Sequence, residues 1–154
     1  MLRCCGSSRW AERMAAARPF ASAAVMAGQG DEVWQSLEPP DWLEAFAAHP
    51  KIGAGGAGGE GTAPWSQGEQ AGVAAASDAT RRRLTEANRE YEARFGYIFI
   101  VRATGRTAGE MLALLERRLR HDADDELRIA AEEQRQITRR RLEKMLEEEP
   151  DTTP

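Results

Sequence analysis

The chain has 154 residues, of which 42% are hydrophobic and 30% are charged, and its net charge at pH 7 is −4. This length and composition exclude wholesale disorder and favour one soluble domain with a single hydrophobic core. The slight negative charge argues against a nucleic-acid partner.

The N-terminal region carries the only two cysteines, Cys4 and Cys5, side by side. Adjacent cysteines rarely bridge each other because the disulfide would be strained, so we expect reduced thiols. The chain shows no continuous apolar stretch of a secretory signal, and no run approaches the roughly 18 residues of a membrane span. These features predict a cytoplasmic protein with no membrane partner.

Short helices are predicted over the first part of the chain. Trp10 and Met14 recur at helical spacing until Pro19 ends the pattern. Asp31 is the expected N-cap of a further helix over residues 32–37.

The next predicted helix covers residues 42–48, with Asp41 as its cap. Pro50 ends this helix and leaves His49 at its C-terminal end. Its apolar residues are expected to share one face: Trp42, Leu43, Phe46 and Ala47.

A glycine-rich segment over residues 53–64 precedes another predicted helix over 66–76. Residues 53–58 formally fit the pattern G-x-G-x-x-G of dinucleotide sites. No strand precedes them and no βαβ unit surrounds them, so we interpret the segment as a spacer loop.

Asp78 is the predicted cap of a long helix over 80–95, which Gly96 ends. Residues 97–101 are β-prone by composition, yet no second strand candidate exists to pair with them. We therefore predict a buried extended connector near 97–103, whose backbone N–H groups would be available to a ligand.

Two helices complete the predicted fold, one capped by Thr107 over 108–120 and one from about 124 to 148. The last helix has a stripe at three- and four-residue steps: Leu127, Ala130, Ala131, Gln134, Ile137, Arg141 and Met145. The fold class is all-α, a single-domain helical bundle over residues 1–150 followed by a polar tail over 151–154.

His49 is the first candidate for chemistry. Imidazole titrates near neutral pH, and the C-terminal end of a helix favours its protonated form, which is what a proton donor needs. A structural role, in which the charge only complements the helix dipole, explains the same position. The spacing leaves both interpretations open.

Glu69 is the second candidate, because a carboxylate beside an imidazole is suited to proton transfer. Ser66 and Glu69 also fit the capping-box pattern, in which the glutamate reaches back to the N–H of the cap residue. Gln70 lies about 100° further around the helix and could face a ligand beside Glu69. Both interpretations of Glu69 stay open.

The remaining polar residues predict little chemistry. Two distant histidines and two adjacent cysteines give no metal-ligand spacing, so we predict no metal site. His121 and the arginine clusters 81–83 and 139–141 have acidic neighbours, which favours exposed positions. Arg118 is solvated by default, although an arginine beside an active site can hold a substrate carboxylate through two parallel hydrogen bonds.

The arginine-rich last helix also suggests a different class of protein, a non-catalytic helical interaction module. That alternative predicts an exposed apolar stripe on the helix over 124–148. It also predicts that no enclosed polar pocket exists.

Several motifs follow one another along nearly the whole chain. They are Cys5-Gly6-Ser7, Arg18-Pro19-Phe20, Asp41-Trp42-Leu43, His49-Pro50-Lys51-Ile52-Gly53, Trp65-Ser66-Gln67-Gly68-Glu69-Gln70, Asn88, Tyr91-Glu92, Phe95-Gly96-Tyr97-Ile98-Phe99-Ile100-Val101 and Glu126-Leu127. In this order they resemble the OHCU decarboxylase family. The family acts on 2-oxo-4-hydroxy-4-carboxy-5-ureidoimidazoline in urate breakdown.

The resemblance implies an all-helical carboxy-lyase that needs no cofactor, is usually a homodimer and releases (S)-allantoin and CO2. The family's catalytic histidine falls on His49 and its partner glutamate on Glu69. The positions that the resemblance assigns to substrate binding are Pro50, Ser66, Gln67, Gly68, Glu69, Gln70, Phe99, Ile100, Val101, Arg102, Ala103 and Arg118.

Two features depart from the family pattern. Relatives usually carry an additional helix before the Cys-Gly-Ser motif. Arg102 occupies a position where some relatives have a small residue, and an inward-pointing Arg102 would change the charge of the pocket.

Overall fold

A computed structural model describes residues 1–49 and 76–147. Its helices in chain order are α1 (Leu2–Cys5), α2 (Ser8–Ala16), α3 (Ala23–Gln35), α4 (Pro39–Ala47), α5 (Asp78–Phe95), α6 (Ala108–Arg118) and α7 (Ala123–Glu147). These two ranges contain no strand, and none of their helices is long and apolar enough to cross a membrane. The predicted all-α fold is confirmed.

Most helices begin at a hydroxyl side chain that accepts a backbone N–H. Ser7, Ser22 and Ser77 do so for α2, α3 and α5. The predicted cap Thr107 is confirmed, and Glu110 completes a capping box by accepting the Thr107 N–H at 2.7 Å. The predicted cap Asp78 is wrong, because Ser77 takes that role and leaves Asp78 as the first residue of α5.

Asp31 is also not a cap, because α3 continues through the preceding glycines. At Gly30, packing against side chains from other helices explains why α3 tolerates a glycine. A Cβ on Gly30 would lie 3.1 Å from Leu142 and 3.3 Å from Trp10. The indole of Trp10 donates to the Gly30 carbonyl at 3.0 Å, so tertiary packing outweighs the weak helix propensity of glycine here.

The apolar face of α4 differs from the predicted one. Ala45 and Phe46 are fully buried, whereas Leu43 is 40% exposed and Ala47 is also exposed. The helix starts earlier than predicted, at Pro39, and the Asp41 carboxylate accepts the Glu38 N–H. Phe46 and the partly buried Trp42 of the predicted face do pack into the core, whereas Leu43 and Ala47 do not, so the predicted face is correct only in part.

The stripe of α7 is buried, as predicted. Ala130, Ala131, Gln134, Ile137 and Arg141 are all at most 6% exposed, and the helix packs against α1, α3 and α4. Over residues 123–145 the exposed apolar stripe that the interaction-module alternative requires is therefore absent.

The connector over residues 97–103 is extended and pairs with no strand in the described part of the chain, as predicted. It follows Gly96, whose φ of +82° ends α5. Ile100 packs into the core formed by α1–α4 and α7, whereas Phe99 and Val101 pack into the core between α5 and α6. This alternation is the period of two that an extended chain imposes.

Candidate functional site

His49 lies two residues after Ala47, the last residue of α4, and is partly buried. Its backbone N–H donates to the Phe46 carbonyl at 3.1 Å, so the residue continues the last turn of the helix. The predicted placement of His49 at the end of the helix is confirmed, and its chemical role stays a prediction.

The end of α4 is positioned by a close approach to α1. Gly6 ends α1 with φ +84°, and a Cβ there would lie 2.5 Å from the Ala48 Cβ, far inside van der Waals contact. Only glycine therefore allows the residue before His49 to pack this closely. The close approach of Ala48 to Gly6 therefore fixes the end of α4, and with it the backbone position of His49.

Two side chains of α7 tie α1 in place. Gln134 Nε2 donates to the Cys5 carbonyl at 3.4 Å, and an Arg141 guanidinium nitrogen donates to the Cys4 carbonyl at 3.4 Å. Arg141 is 6% exposed, so the prediction that the whole 139–141 cluster is solvated is wrong. Burial raises the pKa of the Cys5 thiol to about 11, and both cysteines are free thiols.

An aromatic contact links α4 to the connector. The rings of Phe46 and Tyr97 lie 5.3 Å apart between centroids. Phe46 precedes His49 by three residues, and Tyr97 begins the connector. The structure thus brings the His49 end of α4 beside the segment that contains Phe99–Ala103.

The backbone groups of the connector are not all available to a ligand. The Arg102 N–H donates to Glu133 Oε2 of α7 at 2.6 Å. Among connector residues 99–103, Arg102 is the only one whose N–H donates to an acceptor in the described part of the chain. The prediction of available N–H groups is therefore wrong for Arg102, because the Glu133 carboxylate of α7 already accepts its N–H. The Arg102 side chain is exposed.

Arg118 is buried, at 2% exposure, so the default interpretation of a solvated arginine is wrong. Its Nε donates to Glu126 Oε1 at 2.7 Å and one terminal nitrogen donates to the Ile100 carbonyl at 2.7 Å. The other terminal nitrogen reaches the Tyr91 hydroxyl at 3.4 Å, and the guanidinium lies over the Phe99 ring, 4.8 Å from its centroid. A contact between Arg118 and substrate stays a prediction.

Glu126 completes this buried group. The Tyr91 hydroxyl donates to Glu126 Oε1, and His121 Nδ1 lies 2.9 Å from Oε2. Burial raises the pKa of Tyr91, which keeps its hydroxyl protonated and able to donate. His121, predicted to lie at the surface, is partly buried against Glu126.

The spacing of residues along α7 contains a signal for these buried polar side chains. Glu126, Gln134 and Arg141 recur in phase with the apolar stripe of α7, where a polar residue needs a buried partner. Glu133 lies outside that stripe, and nothing local predicts its contact with Arg102.

Several predicted site residues lie outside the described residues. These are Pro50, Ser66, Gln67, Gly68, Glu69 and Gln70. The glycine-rich segment over 53–64, the predicted helix over 66–76 except its final residue, and the tail over 151–154 also lie outside them. Within the described ranges, no three histidine, cysteine, aspartate or glutamate side chains come together as a metal site would require.

Comparisons with known proteins agree on one family. The sequence profile of OHCU decarboxylase matches residues 1–143. A relative from Arabidopsis thaliana, the uric acid degradation bifunctional protein TTL, is 39% identical over 145 residues, which is 92% of this chain and 45% of the relative. The chain thus spans less than half the length of that relative.

Two solved structures resemble this fold. One is the crystal structure of an OHCU decarboxylase in the presence of (S)-allantoin, with 36% identity, a TM-score of 0.84 and 96% of each chain covered. The other is an (S)-allantoin synthase, with 21% identity and a TM-score of 0.62 over 90% of this chain and 42% of that one. The second likeness concerns the fold alone.

Proposed function

Because this chain belongs to the OHCU decarboxylase family, we propose that it converts 2-oxo-4-hydroxy-4-carboxy-5-ureidoimidazoline to (S)-allantoin and CO2 in urate breakdown. The observation that carries the proposal is the match to an OHCU decarboxylase structure, at 36% identity over 96% of both chains. The identity of 39% to a uric acid degradation protein supports the same pathway.

The proposed reaction needs no cofactor. The C–C bond between ring carbon C4 and the carboxylate breaks and CO2 leaves. The electron pair forms a C4=C5 double bond, and the π pair of the neighbouring C5=N bond passes to its nitrogen, which takes a proton. The C4 hydroxyl then loses its proton to give an enolate, the C4 oxyanion becomes the carbonyl of allantoin, and a proton adds to C5 on one face, which fixes the configuration of (S)-allantoin. The protein has to stabilise the oxyanion and deliver the proton.

His49 is the proposed proton donor. It lies at the carbonyl end of α4, which favours the imidazolium form, and its backbone is held by the helix and by the Gly6–Ala48 contact. A general acid of this kind contributes about 10²–10⁴-fold to a rate. The non-catalytic alternative has no comparable support, because the stripe of α7 is buried.

The remaining roles in the proposal come from the family resemblance. Glu69 would orient the imidazole or accept a hydrogen bond from the substrate hydroxyl, and Gln70 and Arg118 would hold polar edges of the substrate. Backbone N–H groups of the connector would stabilise the oxyanion, where each preorganised donor is worth about 3–4 kcal/mol.

The test uses substrate made freshly from urate by urate oxidase and the following hydrolase. We expect the full chain to form (S)-allantoin faster than the spontaneous background, with a circular dichroism signal of one enantiomer. Racemic allantoin at the background rate would refute the proposal.

Glu69 has a separate test that distinguishes capping from chemistry. If Glu69 acts on the substrate, Glu69→Gln loses most turnover with an unchanged far-ultraviolet circular dichroism spectrum. If it only caps a helix, Glu69→Gln still caps and keeps nearly full activity.

The proposal also includes a homodimer in the cytoplasm. The family resemblance supports the dimer, and the two free cysteines suit a reducing compartment. Light scattering coupled to gel filtration tests the first statement, and cell fractionation of the native protein tests the second. A monomer, or enrichment in an organelle fraction, would contradict them.

A further inference from the structure

Residues 6–9 cover the turn between α1 and α2 and the start of α2, and they lie against one face of α4. A Cβ on Gly6 would lie 2.5 Å from the Ala48 Cβ, near the end of this face. One turn earlier, the Glu44 carboxylate accepts two hydrogen bonds from Ser8, one from the backbone N–H at 3.0 Å and one from the hydroxyl at 2.7 Å. Because positions four apart in a helix share a face, both contacts act on the same side of α4.

The two contacts constrain α4 in different ways. The approach of Ala48 to Gly6 limits how closely the chain segments pack, but a steric limit alone does not prevent α4 from rolling about its axis. The contact between Glu44 and Ser8 does resist rolling, because hydrogen bonds depend on direction and this carboxylate is engaged through both of its oxygens. The carboxylate also lies at the N-terminal end of α2, where the helix dipole favours a negative charge.

A third contact on this face is weaker. Arg9 and Asp41 form an ion pair at 3.5 Å, and the Arg9 side chain is 55% exposed. Solvent and salt screen such a pair, so it adds little to the orientation of the helix. The Asp41 carboxylate also accepts the Glu38 N–H at 3.2 Å, at the start of its own helix. Of the three contacts, the one made by Glu44 therefore sets the orientation of α4.

Building on the proposed function, in which His49 delivers a proton to one face of the substrate, we infer that Glu44 is a positioning residue for His49. His49 follows Glu44 by five residues, and its backbone N–H donates to the Phe46 carbonyl at 3.1 Å, so it moves with the last turn of α4. A roll of α4 therefore changes the direction of the imidazole. Glu44 touches no reacting atom in this assignment and acts only through the helix.

Glu44→Ala in the full chain tests the positioning role. Glu44 is exposed, so its removal leaves no buried charge, and thermal unfolding verifies that the fold is kept. We expect kcat to fall about three- to tenfold with little change in KM, because a misplaced donor affects the transition state. After subtraction of the spontaneous reaction, the excess of (S)-allantoin should also fall, because solvent then competes with His49 as the proton source.

The enantiomeric excess separates positioning from a loss of folded protein. Fewer folded molecules lower the apparent kcat but leave the enantiomeric excess of the enzymatic product unchanged. Either an unchanged kcat or an unchanged enantiomeric excess in Glu44→Ala overturns the inference.

Ser8→Pro tests the same contact from the side of α2. Ser8 is the first residue of α2, where proline fits a helix, and Ser7 before it is already extended, with φ −91° and ψ 124°. Proline removes both donors that Glu44 accepts while α2 is kept. We expect the same losses as in Glu44→Ala and no further loss when the two substitutions are combined. Additive losses would show that Glu44 does not act through Ser8 and would overturn the inference.

Glu44→Gln and Glu12→Ala are the matched controls. Glutamine keeps an acceptor oxygen for the Ser8 N–H, and the Ser8 hydroxyl can accept from its amide nitrogen, so most of kcat and of the enantiomeric excess should remain. Glu12 is an exposed glutamate of α2, and its replacement should change neither quantity. A glutamine variant as impaired as Glu44→Ala, or an equal loss in Glu12→Ala, would refute the positioning role.

The unaltered chain distinguishes the inference from the proposed function. If that chain forms no (S)-allantoin above background, the proposed function fails. An active chain in which Glu44→Ala and Ser8→Pro are both unimpaired refutes only the inference.

Discussion

The two described parts of the candidate site are held in different ways. The end of α4 that carries His49 is placed by shape, because the missing side chain of Gly6 admits Ala48. The connector is placed by charge, because Arg118 holds one of its peptide groups and Glu133 holds the next.

This difference predicts how each part responds to change. A Cβ added to Gly6 would lie 2.5 Å from the Ala48 Cβ, so this approach tolerates no added atom, but removal of the Ala48 methyl group would make room for it. A buried ion pair tolerates no loss of one partner, because the other charge is then left without compensation. We therefore expect the position of the proton donor, His49, to be sensitive to changes in packing. The position of the connector N–H groups proposed to bind the oxyanion should instead be sensitive to the loss of a buried charged side chain.

Replacing His49 should have the largest effect. His49→Ala and His49→Asn should both lower turnover by about 10²–10⁴-fold while the helical circular dichroism spectrum stays the same. Asparagine keeps the polarity and much of the size but cannot titrate, so it separates proton transfer from packing. If His49→Asn kept high activity, His49 at the end of α4 would have a structural role only.

Gly6→Ala should have the second-largest effect, because the new Cβ would collide with Ala48 and displace His49. We expect roughly tenfold or greater loss of kcat together with about 1–3 kcal/mol of lost stability from overpacking. The double variant Gly6→Ala/Ala48→Gly should recover much of the activity.

Gly96→Ala is the matched control for that experiment. Gly96 also has a positive φ, of +82°, but no atom lies within 4 Å of the position of an added Cβ. Both alanines share the backbone strain, so only the clash differs between them. Similar activity losses in both variants, or no rescue by Ala48→Gly, would show that Gly6 does not position His49.

The buried thiol of Cys5 should make stability fall at high pH. Its pKa is raised from 9.0 to about 11 in the fold, so between those values the unfolded chain loses the proton first. The contribution of Cys5 to stability is fully present well below pH 9 and should be lost, by about 2.7 kcal/mol in total, as the pH rises past 11, at 1.36 kcal/mol per pKa unit. Urea unfolding of the unaltered chain and of Cys5→Ala across this range measures the difference, and parallel curves would contradict it.

Tyr91→Phe, which alters the buried polar group that holds the connector, should have the smallest effect of these substitutions. It removes the hydroxyl that donates to Glu126 but leaves the Arg118–Glu126 pair in place. We expect about 1 kcal/mol of lost stability in urea unfolding, the ordinary net value of one hydrogen bond. A loss equal to that of removing Arg118 would mean that the hydroxyl, and not the ion pair, holds this part together.

Local chemistry predicted much of the fold. Thr107 as a cap, Gly96 as a helix end and the buried stripe of α7 all depend on residues close together in the sequence, and the structure confirms them. The unpaired connector was predictable because no second strand candidate exists.

Contacts between distant residues account for the errors. Arg118 and Arg141 were interpreted as solvated, but their partners Ile100 and Cys4 come from other parts of the chain. The continuity of α3 likewise depends on Trp10 and Leu142 packing against Gly30. Glu69 and its neighbours lie outside the described residues, so their roles stay predictions.

The alternating burial of the connector has a consequence for unfolding. Because Ile100 belongs to one core and Phe99 to the other, neither core can open without exposing part of the same five-residue stretch. The two cores should melt in one cooperative transition, and the Arg102 amide, whose N–H is bound by Glu133, should exchange only on global opening. The segment proposed to bind the oxyanion would then keep its conformation until the whole protein unfolds.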